Sequence, residues 1–376
     1  MTGLTRAARL SPAMLYLGFA ATGVAVALPG AVLPALLRQW SLGDGQAGFL
    51  FFLGWAGSSV GALLVRGSRA RSLVLGCLLI SLAAVGVAAA GPGWARFASM
   101  AILGVGLGVA MTSISLLRAG RNAARRGREL NRLNLVWAAG ACLCPSLAAH
   151  SLRIANVREI FSGVAAFFLL LGLWTALFER DNVRVVAGAA GWTFSLAAWP
   201  LALVVLIVLP GGVESSIGGW AATYMQRAHG ALATTVSAGT CFWGGLLLSR
   251  ALHSTRLLEF LTERSVVRHS LGIVALGSLL LIASGSALAI LPGVFLIGFG
   301  LGPVYPLLLA LVLGYSENPL IFTIAGLGSA FLPWLTGAVS ASASSLRIGL
   351  LVPLAASLLM LALGLRLPHR SPAAAP

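Results

Sequence analysis

The sequence predicts an all-α integral membrane protein: twelve transmembrane helices in two six-helix parallel pseudo-repeats. Three observations carry that prediction. Of the 376 residues, 59% are hydrophobic and only 9% charged, against about 25% charged in an ordinary soluble chain. Apolar runs of roughly 18 to 25 residues, the length of a bilayer-crossing helix, recur from end to end. Three motifs then recur in order, each at an offset near half the chain length.

The expected spans are 12–37, 46–66, 72–90, 95–117, 131–151, 159–178, 195–225, 231–251, 270–286, 288–313, 319–340 and 346–366. The first follows Arg6 and Arg9 as a signal peptide would. Its apolar run from Met14 to Leu37 is too long for a cleaved segment, so it reads as a span. Ser41 to Gly45 closes the first hairpin and Gly91-Pro92-Gly93 the second, because Gly reaches positive φ and Pro stops a helix. The expected domains are residues 1–178, an N-terminal bundle; 179–194, a cytoplasmic linker; 195–366, a C-terminal bundle; and 367–376, a Pro/Ala-rich disordered tail.

Every basic residue is an arginine. With both termini in the cytoplasm, all arginines except Arg38, Arg96, Arg153, Arg158, Arg227 and Arg347 fall on inner segments. That matches the positive-inside rule. Trp40 and Trp94 at outer turns, and Trp192 at an inner edge, sit where amphipathic rings anchor at headgroup level.

The repeat is visible in three places. Leu103-Gly-Val-Gly-Leu-Gly-Val-Ala-Met111 matches Ile297-Gly-Phe-Gly-Leu-Gly-Pro-Val-Tyr305. Gly61 to Arg66 matches Gly245 to Arg250, and Gly140 to Pro145 matches Gly328 to Pro333. Parallel repeats of six spans are a transporter architecture.

Other function classes find little support. The net charge of +16 does not indicate nucleic acid, because the arginines lie between apolar runs and not on a soluble face. The Gly-x-Gly-x-Gly runs lie inside apolar helices, not after a strand, so they are not nucleotide loops. Without a lysine there is no phosphate-binding lysine of an ATPase. Cys77, Cys142, Cys144 and Cys241 all lie in apolar runs and read as small apolar fillers. No metal-spaced cluster and no Ser-His-Asp set is present. The expectation is therefore no enzyme and no cofactor. The partners expected are a small-molecule solute, H+ or Na+ and the lipid bilayer, for a chain acting as a monomer.

Polar chemistry concentrates in one apolar span, at Pro210-Gly-Gly-Val-Glu-Ser-Ser-Ile-Gly-Gly-Trp-Ala-Ala-Thr-Tyr224. Pro210 removes a backbone donor and the Gly pair weakens the helix. This reads either as a helix break lining a site or as close small-residue packing. Glu214 is the one carboxylate placed well inside a span. An acid at membrane depth normally faces a cavity or a partner; Glu214 reads as a substrate and proton-coupling residue, or as a structural carboxylate satisfied by neighbours. Trp220 and Tyr224, one helical turn apart, read as a platform for a sugar face or as an outer aromatic belt. Asn134, with Asn131 before it and Trp137 after it, and Tyr305 between Pro303 and Pro306, complete the substrate-binding candidates; a cap or inter-helix bond and core packing are their structural alternatives. Arg66, Arg69 and Arg71 are candidate gating residues, pairing with Glu259, Glu263 or helix ends, or else simple orientation signals.

Several of these motifs resemble the major facilitator superfamily. Leu33 to Trp40, Gln46 to Gly48 and Gly54 to Arg66 are similar to its N-terminal pattern, Asn131 to Asn134 to its span-five start, and Gly298 to Pro306 to its span-ten pattern. Gly212 to Trp220 with Tyr224 is similar to the span-seven signature of fucose-permease-like sugar transporters. The resemblance implies the major facilitator fold in a bacterial-type inner membrane and alternating access to a small polar solute, sugars first and drug-like or other organic solutes next. Two departures stand out. Val65 occupies the loop position where the superfamily has an aspartate, and spans one and four carry no carboxylate. They leave open a second class, a non-transporting receptor or regulator on the same fold.

Overall fold

The computed structural model describes residues 10–366 apart from 90–92, 123–124, 180–183, 186–200, 230–231, 256–261, 284 and 314–319. The N-terminal half holds α1 (Pro12–Trp40), α2 (Asp44–Leu63), α3 (Arg69–Ala88), α4 (Gly93–Arg121), α5 (Arg126–Ile154) and α6 (Val157–Phe178). The C-terminal half holds α7 (Leu201–His229), α8 (Leu232–His253), α9 (Glu263–Ala283), α10 (Ala287–Leu313), α11 (Leu320–Ser342), the single turn α12 (Leu346–Gly349) and α13 (Leu351–Leu365). The last two together make the final span. Eleven helices among the described residues are long and apolar enough to cross a membrane, and α8 takes the twelfth place in the order. The chain is a multi-pass integral membrane protein.

Helix starts follow local chemistry. The Ser11 hydroxyl accepts from the Met14 amide, with Pro12 in the first turn. Asn156 and Glu159 form a reciprocal capping box that opens α6. Successive spans alternate in direction, so the start of α1 and the end of α13 share one end of the molecule. That end is called here the terminal end, and the opposite one the distal end. At the terminal end β1 (Gly67–Ser68), in the turn after α2, pairs antiparallel with β2 (Arg184–Val185) in the segment joining the halves.

The expected repeat appears as repeated packing. In the N-terminal half α1 packs on α5, α2 on α4, and α3 on both α4 and α6. In the C-terminal half α7 packs on α11, α8 on α10, and α9 on both α10 and α13. The match extends to single residues. A Cβ at Gly140 would strike the Ala20 carbonyl, and one at Gly328 would strike the Val208 carbonyl; one offset relates both pairs. Only a glycine lets these helices approach so closely, as small residues do between membrane helices. The halves meet through α2 against α11, α5 against α8, and α1 against α7.

Three expectations are decided or change. Of the two readings of Pro210-Gly211-Gly212, close packing is the one seen and the break is not: α7 runs unbroken through it. The two glycines instead admit α11, with the Ser329 hydroxyl 2.6 Å from where a Cβ on Gly211 would stand and the Gly328 carbonyl 2.9 Å from one on Gly212. Second, α5 begins at Arg126, one turn earlier than the apolar pattern marked. Glu129 therefore lies in the first turn of a span, while Glu214 stands well inside α7. Third, α2 ends at Leu63, which leaves Arg66 beyond the helix. Trp192, Glu259 and the tail 367–376 lie outside the described residues.

Candidate functional site

The site is built where α7, α8 and α5 approach. Glu214 stands on α7 about one turn beyond the packed Gly pair. Arg250, near the terminal end of α8, reaches back along the helix to it, as a long arginine stem allows. The guanidinium lies 3.5 Å from a Glu214 carboxylate oxygen, and both side chains are 17% exposed. Neither side chain makes a hydrogen bond among the described residues. The pair belongs to the C-terminal half, but its cover comes from the other half. The Arg250 guanidinium sits over the Trp137 ring of α5, 5.6 Å from its centroid, within reach of cation–π attraction. Trp137 in turn meets Trp243 of α8 edge to face at 5.7 Å, and its buried indole N–H has no hydrogen-bond partner among the described residues.

The other candidates fall into three groups. Asn134 is exposed on α5, one turn from Trp137. Asn131, one turn further, donates to Ser254 Oγ at 2.9 Å, so this face of α5 follows α8. Tyr305 of α10 is half-buried, on a helix that packs against α7. Asn134 and Tyr305 thus stand on helices packed beside those of the pair, α5 on α8 and α10 on α7.

Trp220 and Tyr224 are buried toward the distal end, in a seam that closes it. The Trp220 indole N–H donates to the Pro333 carbonyl at 3.0 Å, and its ring meets Phe51 of α2 edge to face at 5.8 Å. One turn closer to the distal surface, Arg227 of α7 forms a bidentate pair with Asp44 of α2, at 2.6 and 2.7 Å, and Ser340 of α11 donates to the same carboxylate. Gly30 of α1 rests on the Gly218 carbonyl of α7. The distal end is thus shut by contacts between the halves.

At the terminal end the polar contacts lie mostly within the N-terminal half. Glu129 receives Arg118, the Tyr16 hydroxyl at 2.7 Å and Arg132 at 3.1 Å, with Arg118 also stacked over the Tyr16 ring. Arg121 pairs with Glu179 and donates to the Leu10 carbonyl at 2.9 Å. Of the gating candidates, Arg69 donates to the Leu116 carbonyl of α4 at 3.0 Å. Arg66 and Arg71 are exposed. α4 and α10 hardly meet.

Sequence reasoning missed two members of this site. Arg250 was legible only as a basic residue at an inner span end, and Trp137 only as a neighbour of Asn134. The signal for Arg250 was the recurrence of Gly-x-x-x-x-Arg at Gly61–Arg66 and Gly245–Arg250, which puts an arginine at matching places in both halves; Trp137 had none beyond its place beside Asn134. Among the described residues no group of three His, Cys, Asp or Glu side chains is placed to hold a metal ion.

No family model and no curated protein matches this chain. Solved structures do. The chain is similar to a bacterial homologue of the human lysosomal transporter Spinster in an inward-facing, occupied conformation, with a TM-score of 0.69 at 14% identity over 94% of this chain and 95% of that one. It is similar to the nucleoside transporter NupG, with a TM-score of 0.69 at 13% identity over 94% and 96%. A mutant form of NupG gives a TM-score of 0.73 at 12% identity over 94% and 97%. At these identities the likeness is one of fold: the chain has the twelve-helix major facilitator fold.

Proposed function

We propose that this chain, built on the major facilitator fold, moves a small polar solute across a membrane by alternating access. The observation that carries the reading is the Glu214–Arg250 pair. It sits between the halves with its hydrogen-bonding capacity unspent on the protein. Charged groups at membrane depth are costly and mark solute or ion paths. A carboxylate offers acceptors to a solute's hydroxyl or amine, and a guanidinium offers donors to its oxygens. Trp137 supplies a flat face, and Asn134 and Tyr305 add polar contacts at the rim.

In the proposed cycle this structure is the state closed distally by Asp44–Arg227 and the Trp220 seam. The solute enters from the terminal end, which is taken as cytoplasmic in a bacterial-type inner membrane. Rocking of the halves parts α1 from α7 and brings α4 toward α10. Glu214 takes up or releases a proton as Arg250 turns to the solute, which couples the two movements; the chain acts as a monomer. Arg69, braced on α4, holds the turn after α2 as that end closes, with Arg66 and Arg71 beside it. Sugars remain the first substrate class, from the span-seven resemblance, with drug-like solutes next; the nucleoside named for NupG joins the panel.

Uptake of a labelled panel of sugars, nucleosides and organic cations and anions into liposomes tests the proposal. At least one class is expected to accumulate above empty liposomes. Glu214→Gln is expected to lower that uptake more than tenfold and flatten its pH dependence, with thermal stability unchanged. If no class moves while a partner protein co-purifies stoichiometrically, the chain is a receptor or regulator and the transport proposal fails.

A further inference from the structure

The halves differ in one piece of packing that the repeat does not account for. α7 and α8 pack along each other, whereas α1 and α2, their counterparts, scarcely touch. The gap between α1 and α2 is floored by α4 and holds a cavity of about 60 Å³. Its walls are almost wholly apolar, with Val26 and Pro29 on α1, Phe51 and Trp55 on α2, and Leu103 on α4. Gly54 lies on the same wall, and a Cβ added there would meet nothing within 4 Å. Gly104 presses on the Gly54 carbonyl from α4, so the backbone at Gly54 is tightly held while its side-chain space stays empty.

The depth of this slot follows from the α1–α7 contact. α1 and α7 run in the same direction, and Gly30 rests on the Gly218 carbonyl. Val26, one turn below Gly30, is therefore level with Glu214, one turn below Gly218. Phe51, at the slot's inner edge, packs on Trp220 of α7. From Ala25 to Leu36 the slot follows α1 for ~16 Å, at 1.5 Å per residue. It begins at the level of the ion pair and runs toward the distal end.

We infer that the solute is amphipathic: a polar head engages Glu214 and Arg250, and an apolar arm of up to ~16 Å lies in the slot between α1 and α2. The inference rests on the transporter reading above and narrows its substrate class. A wholly polar solute has no use for an apolar cavity that begins at the depth of its site, and an arm there gains by leaving water. One half then reads the head and the other the arm, so the solute itself spans the two bodies that must move.

The test uses purified protein in nanodiscs and N-acylglycines from acetyl to decanoyl. Their carboxylate suits Arg250 and their amide N–H suits Glu214. Empty nanodiscs give the partition background. Affinity of the wild type is expected to rise at least tenfold along the series. Gly54→Leu from one wall and Val26→Phe from the other should each remove most of that gain and leave acetylglycine binding unchanged. An undiminished chain-length gain in both folded variants overturns the slot assignment and leaves the head site standing. Arg250→Gln separates the two failures. Loss of acetylglycine binding in that variant supports the head site, and unchanged binding overturns it. Failure of the wild type to bind any member overturns the proposed head chemistry.

Discussion

The two halves share their packing and divide their charges. Gly140 on Ala20 in one half and Gly328 on Val208 in the other bring equivalent helices together by equivalent contacts. The charges follow no such rule. The N-terminal half keeps two acids, Glu129 and Glu179, at the terminal end, buried under Arg118 and Arg121. The C-terminal half places Glu214 deep in its first span, half-free beside Arg250. The repeat thus governs how each body holds together, and departures from it mark where each body does something. The N-terminal half locks its own helix ends, while the C-terminal half exposes a charge pair to the gap.

The comparison can be broken at three strengths. Arg118→Ala should act most strongly, because it strands the buried Glu129 carboxylate with only Tyr16 and the exposed Arg132. Removing one member of a buried pair costs about 3 kcal/mol or more. Loss of folded protein on detergent thermal melts would show it, and a melt unchanged by the substitution would mean that the terminal-end charges are ornamental. Next come the paired variants Gly104→Val and Gly298→Val. Each forces a side chain against a carbonyl of the facing helix, Gly54 in one half and Phe242 in the other. Overpacking of this kind costs about 1–3 kcal/mol. Near-equal losses in melting temperature would sharpen the claim of shared packing, and a large loss in only one half would break it. Asp44→Asn should act least, since Arg227 is 42% exposed and exposed pairs contribute about 0–1 kcal/mol. Its effect should appear as easier labelling of Thr223→Cys, a buried position in the same stretch of α7, from the distal side, with little change in melting.

Much of this fold was legible in the residues, for identifiable reasons. Span lengths follow from bilayer thickness, so the twelve apolar runs could be counted directly. The repeat was legible because its glycines do a backbone's work and tolerate no replacement. Glu214 stood out because an acid at membrane depth is costly and must face a cavity or a partner. What a single chain could not reveal was facing. Trp220 and Tyr224 shared a helical face with good chemistry, but the Trp220 ring is taken up by α2 and α11 in the distal seam and Tyr224 is buried. Arg250 lay at a span end by count, and its long stem carries the charge inward to Glu214. Pro210 and two glycines fitted a break or close packing equally, and the facing of α11 decides for packing in an unbroken α7. The slot beside α1 was illegible, because it arises from two helices failing to meet.

Alternating access about the Glu214–Arg250 pair is tested most directly by two distances in one sample. Spin labels at Ser41 and Ser342 report the distal end, and labels at Arg71 and Glu263 report the terminal end. Double electron–electron resonance is recorded in nanodiscs with and without the solute found by uptake, and again in Glu214→Gln. The account predicts that the solute lengthens the distal distance as it shortens the terminal one, and that Glu214→Gln blunts both changes. Distances that stay fixed at both ends while the solute is bound would contradict it.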